Sequence, residues 1–113
     1  MPVLINNVLT LNFVIDSGAA DVSIPADVVL TLIRTGTIRD ADFLGRKTYR
    51  LADGSTIPSD TFRMRVLKVG DREIANVTAS IARVEGGLLL GQSFLNRFKS
   101  WSIDNQRQVL LLN

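Results

Sequence analysis

Short apolar runs broken by one or two turn-forming residues set the rhythm of this chain. Residues 3–5 and 9–15 flank Asn6-Asn7, and asparagine tolerates the positive φ of a tight hairpin, so two strands are predicted there. Pro25 suits a first helical position. Val28, Val29, Leu32 and Ile33 then recur on one helical face, which predicts a helix over 26–34. Residues 35–47 are polar and glycine-punctuated and read as a loop. Residues 48–51 and 57–69 read as strands around Asp53-Gly54, a strong hairpin dipeptide. Gly70-Asp71 marks the next turn, before a strand over 73–82. Residues 88–90 read as a short buried strand and 92–98 as a short helix with Phe94, Leu95 and Phe98 on one side. Two last strands, 101–103 and 109–112, surround Asn105-Gln106. Many short strands between regular turns predict an all-β fold, a small barrel or sandwich carrying one or two helices. The strand-turn-strand layout of residues 3–15 is echoed at 66–79, a hint of two related halves.

With 113 residues the chain is read as a single domain, 1–113. A hydrophobic share of 46% against 21% charged fits a globular protein. The net charge is only +2, and the basic residues are scattered rather than clustered beside aromatics, so no nucleic-acid partner is expected. Arg34, Arg39, Arg46 and Lys47 read as a solvated rim, and Trp101 and the phenylalanines as core. The opening residues lack a basic segment followed by an apolar one, and no apolar run is long enough to span a bilayer. The expectation is a cytoplasmic chain without a membrane segment.

Elimination narrows the chemistry. Without cysteine there is no disulfide, thiolate zinc site or thiol nucleophile. Without histidine there is no Ser-His-Asp triad and no imidazole base. Gly91-Gln92-Ser93-Phe94-Leu95 begins like a nucleophile elbow, but Leu95 stands where the second glycine belongs. Asp40 with Asp42, and Asp16 with Asp21, lack calcium-loop spacing, and the first pair reads as solvated loop acids. Glu85-Gly86-Gly87 leads into a strand rather than a helix, so it is no phosphate loop. No metal and no cofactor are expected.

Asp16 survives this sorting. One reading is a strand-terminal Asx turn, in which the carboxylate bonds the backbone two residues on. The other is a reactive acid. Phe13-Val14-Ile15 draws it to the edge of the interior, and Gly18 lets another backbone approach. Leu89-Leu90-Gly91, a second apolar run ending in glycine, is placed to brace it.

These segments together resemble the retropepsin-like aspartic proteases, in their bacterial and cellular branch related to retroviral proteases. The resemblance rests on Phe13-Val14-Ile15-Asp16-Ser17-Gly18-Ala19, on a glycine-bearing hairpin at Arg50, Leu51, Ala52, Asp53 and Gly54, and on Leu89-Leu90-Gly91 before a short helix. It implies a small closed barrel-like acid-protease fold with a flap hairpin. It also implies a homodimer that cuts peptide or protein substrates, each copy giving one catalytic Asp16. Ser17 would bond across the twofold axis. Gly18 and Ala19 would run along the substrate backbone. Asp21, Ile24, Ala52 and Leu89 fall near pocket-lining positions, and Tyr49 and Arg50 near substrate on the flap. Ala20 departs from the acidic residue often found there, and the flap tip has one glycine rather than several. Retroviral dimers interleave both chain ends; residues 1–5 and 109–112 are apolar enough for that, or for pairing within one subunit. The alternatives are a non-catalytic dimerisation or peptide-binding module on the same fold, and an unrelated β domain with a turn aspartate.

Overall fold

The computed structural model describes residues 1–50, 53–107 and 109–113. The described residues form ten strands and two α-helices; both helices and the predicted strands occur in order, with 9–15 split in two and an unpredicted strand at Val22–Pro25. β1 (Pro2–Ile5) and β2 (Leu9–Asn12) form the first hairpin. Asn6 and Asn7 take φ of 51° and 60°, closed by the Val8 N–H donating to the Ile5 carbonyl. Asn6 also cross-links the fold. Its side chain accepts from the Val66 N–H and donates to the Thr37 carbonyl.

The predicted strand over 9–15 is two strands. Phe13, still bonded to Met1 through its N–H and carbonyl, buries its ring, and β3 (Val14–Ile15) turns to pair parallel with β8 (Leu89–Leu90). β4 (Val22–Pro25) runs parallel to β7 (Arg72–Ala82). Pro25 caps helix α1 (Ala26–Arg34) from outside rather than occupying its first turn. Val29 and Leu32 of α1 face the core, Val28 is half-buried, and Ile33, at the edge of the stripe, is exposed.

The region read as a loop over 35–47 holds more structure than its polarity suggests. A 3-10 turn at Asp40–Asp42 leads into β5 (Phe43–Arg50). This strand is exposed on nearly every residue, so it carries no apolar alternation to reveal it. Asp42 is not a solvated loop acid. It is buried and accepts from the Arg39 N–H at 2.9 Å, with the Arg65 guanidinium bonded to it and Arg63 at 3.8 Å. Burial alone would raise its carboxyl pKa, but the Arg39 N–H and the two guanidiniums outweigh burial and hold it below the ordinary value.

β5 and β6 (Thr56–Val69) form the long hairpin around Asp53-Gly54, with Gly54 at φ 88°. β6 continues against β7 from Thr61↔Ser80 to Val69↔Arg72. Helix α2 (Gln92–Leu95) is shorter than the predicted 92–98 but buries Phe94 and Leu95. Eight strands, ordered β2-β1-β6-β7-β4-β8-β3 with β5 beside β6, curl into a nearly closed barrel. Phe13, Phe62, Met64, Leu67, Leu90 and Phe94 fill its interior. The chain ends are stitched within the chain. β1 pairs β2 and β6, while β9 (Trp101–Asp104) pairs β10 (Val109–Leu112). Among the described residues, no helix is long and apolar enough to cross a membrane.

Candidate active site

Asp16 follows β3 directly, where the parallel pairing with β8 ends. Its N–H donates to the Leu90 carbonyl at 3.0 Å, so the strand pair delivers the acid to a fixed point. Its Oδ1 accepts from the Gly18 N–H at 2.9 Å, and its carbonyl accepts from the Ala19 N–H at 3.2 Å. The Asx turn anticipated as the bland reading is therefore present, and it orients the carboxylate. Among the described residues nothing else hydrogen-bonds that carboxylate. A Cβ on Gly18 would sit 3.2 Å from Oδ1, so the glycine lets the turn close this tightly.

Gly91 is the brace. A Cβ there would lie 2.2 Å from the Asp21 carbonyl oxygen and 2.6 Å from that of Ala19. Such contact with the loop leaves room for a hydrogen atom alone. The chain beyond Gly91 locks the same loop. Gln92 and Ser93 N–H groups donate to the Ala19 and Ala20 carbonyls at 2.8 and 2.9 Å. The Gln92 side chain donates to the Ser17 carbonyl at 2.7 Å. Ser93 Oγ accepts from the Val22 N–H and donates to the Thr78 carbonyl. The sequence reading missed Gln92 and Ser93. The one signal was a pair of hydrogen-bonding side chains just after the bracing glycine, in a motif set aside as a failed nucleophile elbow.

The loop borders a cleft of about 310 Å³ lined by Gly18, Ala19, Asp21, Tyr49, Ser80 and Leu89, among others. A larger groove of about 400 Å³ lies between Met1, Val69 and the β9–β10 hairpin. Its lining has Asp71 and Arg72 as charged side chains and includes no part of the Asp16 loop.

The predicted site residues divide. Asp16, Gly18, Ala19, Asp21, Leu89, Leu90 and Gly91 converge on one loop and its floor. The Ser17 residue is exposed beside them. Arg50 reaches the cleft from β5. Ile24 is fully buried, so the structure places it in the core behind the cleft. Leu51 and Ala52 lie outside the described residues. At the hairpin tip, Asp53 Oδ1 accepts from both the N–H and the hydroxyl of Ser55, which holds its carboxyl below the usual range.

Lys47, assigned to the rim, instead reaches inward. Its Nζ lies 3.0 Å from Asp21 Oδ2, and the same oxygen accepts from the Tyr49 hydroxyl. Burial, and then the Asp21 hydrogen bond and charge, push the Tyr49 phenol far above its ordinary pKa.

The family model for a "gag-polyprotein putative aspartyl protease" matches residues 1–97. The fold is similar to the crystal structure of a retropepsin-like aspartic protease from Rickettsia conorii, with a TM-score of 0.70 and 24% identity. That likeness covers 100% of this chain and 80% of the other. No curated protein sequence matches the chain.

Proposed function

The chain belongs to this gag-polyprotein aspartyl protease family, and from that premise we propose that residues 1–113 act as one domain of a homodimeric aspartic endopeptidase. The observation that carries the proposal is the Asp16 carboxylate. It is fixed through Gly18, is otherwise unengaged among the described residues, and belongs to a loop that borders a cleft sized for side chains.

A lone carboxylate cannot be acid and base in one step. Two of them can, and a twofold axis beside the exposed Ser17 brings a second Asp16 from another copy. Carboxylates about 3 Å apart cannot both ionise, so they hold one proton between them, as is established for aspartic proteases as a class. The ionised member draws a proton from a water between them, and that water attacks the peptide carbonyl. The protonated member gives its proton to the carbonyl oxygen, and the leaving nitrogen is protonated as the tetrahedral intermediate collapses. Ser17 hydroxyls would tie the two loops together. Gly18 and Ala19 would pair with the substrate backbone, and Leu89 would offer an apolar pocket wall. The hairpin carrying Arg50, Leu51, Ala52, Asp53 and Gly54 would close over the substrate. The paired acids titrate as a unit, so cleavage belongs on the acid side of neutral.

The test is a peptide-library digest between pH 4 and 7 across a range of protein concentrations. Asp16→Asn should lower cleavage by about 10³-fold, and the rate per chain should fall on dilution as copies separate. Cleavage that persists in Asp16→Asn overturns the proposal. A wild-type protein that binds peptides without cutting them makes the domain a binding module instead.

A further inference from the structure

Asp21 stands five residues beyond Asp16 on the same loop, and its side chain is only 5% exposed. Such a carboxylate needs partners. Both come from β5, 26 and 28 positions away: Lys47 Nζ and Tyr49 Oη meet on its Oδ2. Lys47 and Tyr49 are two apart on a strand, so they share one face, and the ammonium lies 5.1 Å from the Tyr49 ring centroid. Ser80 of β7 lines the same cleft as Tyr49 and Asp21.

The position of this cluster in the hairpin is what matters. The β6–β7 ladder ends at Thr61↔Ser80, whereas β5 and β6 stay paired out to Arg50↔Thr56. Residues 46–50 and 53–60 therefore project beyond the ladder. Ser59 Oγ donating to the Ile81 carbonyl is one side-chain tie from this projecting part to the body. Among the described residues the Asp21 cluster is the other, it includes a charge pair, and it ends on the loop that carries Asp16.

We propose that Asp21 is a positioning residue, a latch that sets the posture of the hairpin over the cleft through Lys47 and Tyr49, rather than a group that contacts substrate. The proposal rests on the protease reading for its catalytic consequence but not for its structural one. With its carboxylate oxygen occupied twice from β5, Asp21 reports the height of the hairpin directly to the catalytic loop. Gly91 packs against the Asp21 carbonyl from below and keeps that anchor from yielding.

Hydrogen–deuterium exchange on the intact protein reads the latch without substrate. Tyr49→Phe removes one bond to a charged acceptor and keeps the ring. It should speed exchange across residues 46–60 about tenfold or more, with the β1, β7 and α2 amides unchanged. Asp21→Asn should act on the same segment and more strongly, because it weakens both the Lys47 and the Tyr49 contact, and adding Tyr49→Phe to it should change little further. Lys47→Arg should restore what Lys47→Ala loses. In peptide cleavage, Tyr49→Phe should raise KM more than it lowers kcat. Unchanged exchange at 46–60 in Tyr49→Phe overturns the latch, and a fall in cleavage alongside it makes Asp21 a substrate contact. Faster exchange in a protein that cleaves nothing upholds the latch and overturns the protease reading alone.

Discussion

Replacing Gly91 with alanine tests the brace beneath the Asp16 loop. The added Cβ would stand 2.2 Å from the Asp21 carbonyl oxygen and 2.6 Å from that of Ala19. These are backbone atoms, so no flexible side chain can swing aside, and the loop must part from α2 by about 0.8 Å to reach even a tight contact. Overpacking of this kind costs about 1–3 kcal/mol. The displacement also stretches the Gln92 and Ser93 N–H bonds to Ala19 and Ala20, at about 1 kcal/mol each. Against this, removing a glycine restricts the unfolded chain and returns about 0.4–1 kcal/mol. The steric term wins, and the expected loss is about 3 kcal/mol. Urea unfolding with linear extrapolation reads it as a midpoint lowered by roughly 2 M. Gly87→Ala is the control, since its nearest contact, Leu89 Cδ2, lies at an ordinary 3.7 Å. It should stay within about 0.5 kcal/mol of wild type. If Gly91→Ala falls within about 1 kcal/mol of that control, the loop is not braced as described.

Two further outcomes follow from titratable groups. The Asp42 carboxyl is held below its ordinary value in the folded state, so its stabilisation is complete above the unfolded pKa and is lost as pH falls through the folded one. Unfolding free energy should therefore drop with acidification below about pH 4. Arg65→Met, which strips the main partner of this buried acid, should cost about 3 kcal/mol at neutral pH and flatten the acid slope. Tyr49 is the one tyrosine in the chain, so ultraviolet titration reads it alone. Its phenol is raised, so the folded protein should show no tyrosinate at pH 11, and stability should fall as pH climbs past about 10, where the unfolded chain ionises first. Tyrosinate forming near pH 10 in folded protein would count against the Asp21 contact.

Local chemistry was legible wherever one residue type had a single physical use. Asn6-Asn7 and Asp53-Gly54 mark hairpins because few residues accept their dihedrals, and α1 follows from its apolar face. Asp16 stood out because the chain lacks rivals for acid–base work. What stayed hidden depends on distant partners. β5 is exposed on both faces, so no alternation betrays it. Asp42 reads like its neighbour Asp40 until Arg63 and Arg65 arrive from β6. Lys47 looks like any surface lysine until Asp21 is brought beneath it. Ile24 fits the pocket pattern by position, yet the strand pleat turns it into the core.

The terminal strands have a consequence for regulation. β1 finds its neighbours in β2 and β6, and β10 pairs with β9 in a two-stranded sheet of its own, so the described strands at both ends pair within a solitary polypeptide. Two such molecules could meet with these terminal hairpins already formed. Under the dimeric reading, each would carry an inert half of the cutting machinery, stockpiled safely and armed by abundance alone. A cell would then set proteolysis by dosage, and the quadratic dependence of pairs on numbers would sharpen the response.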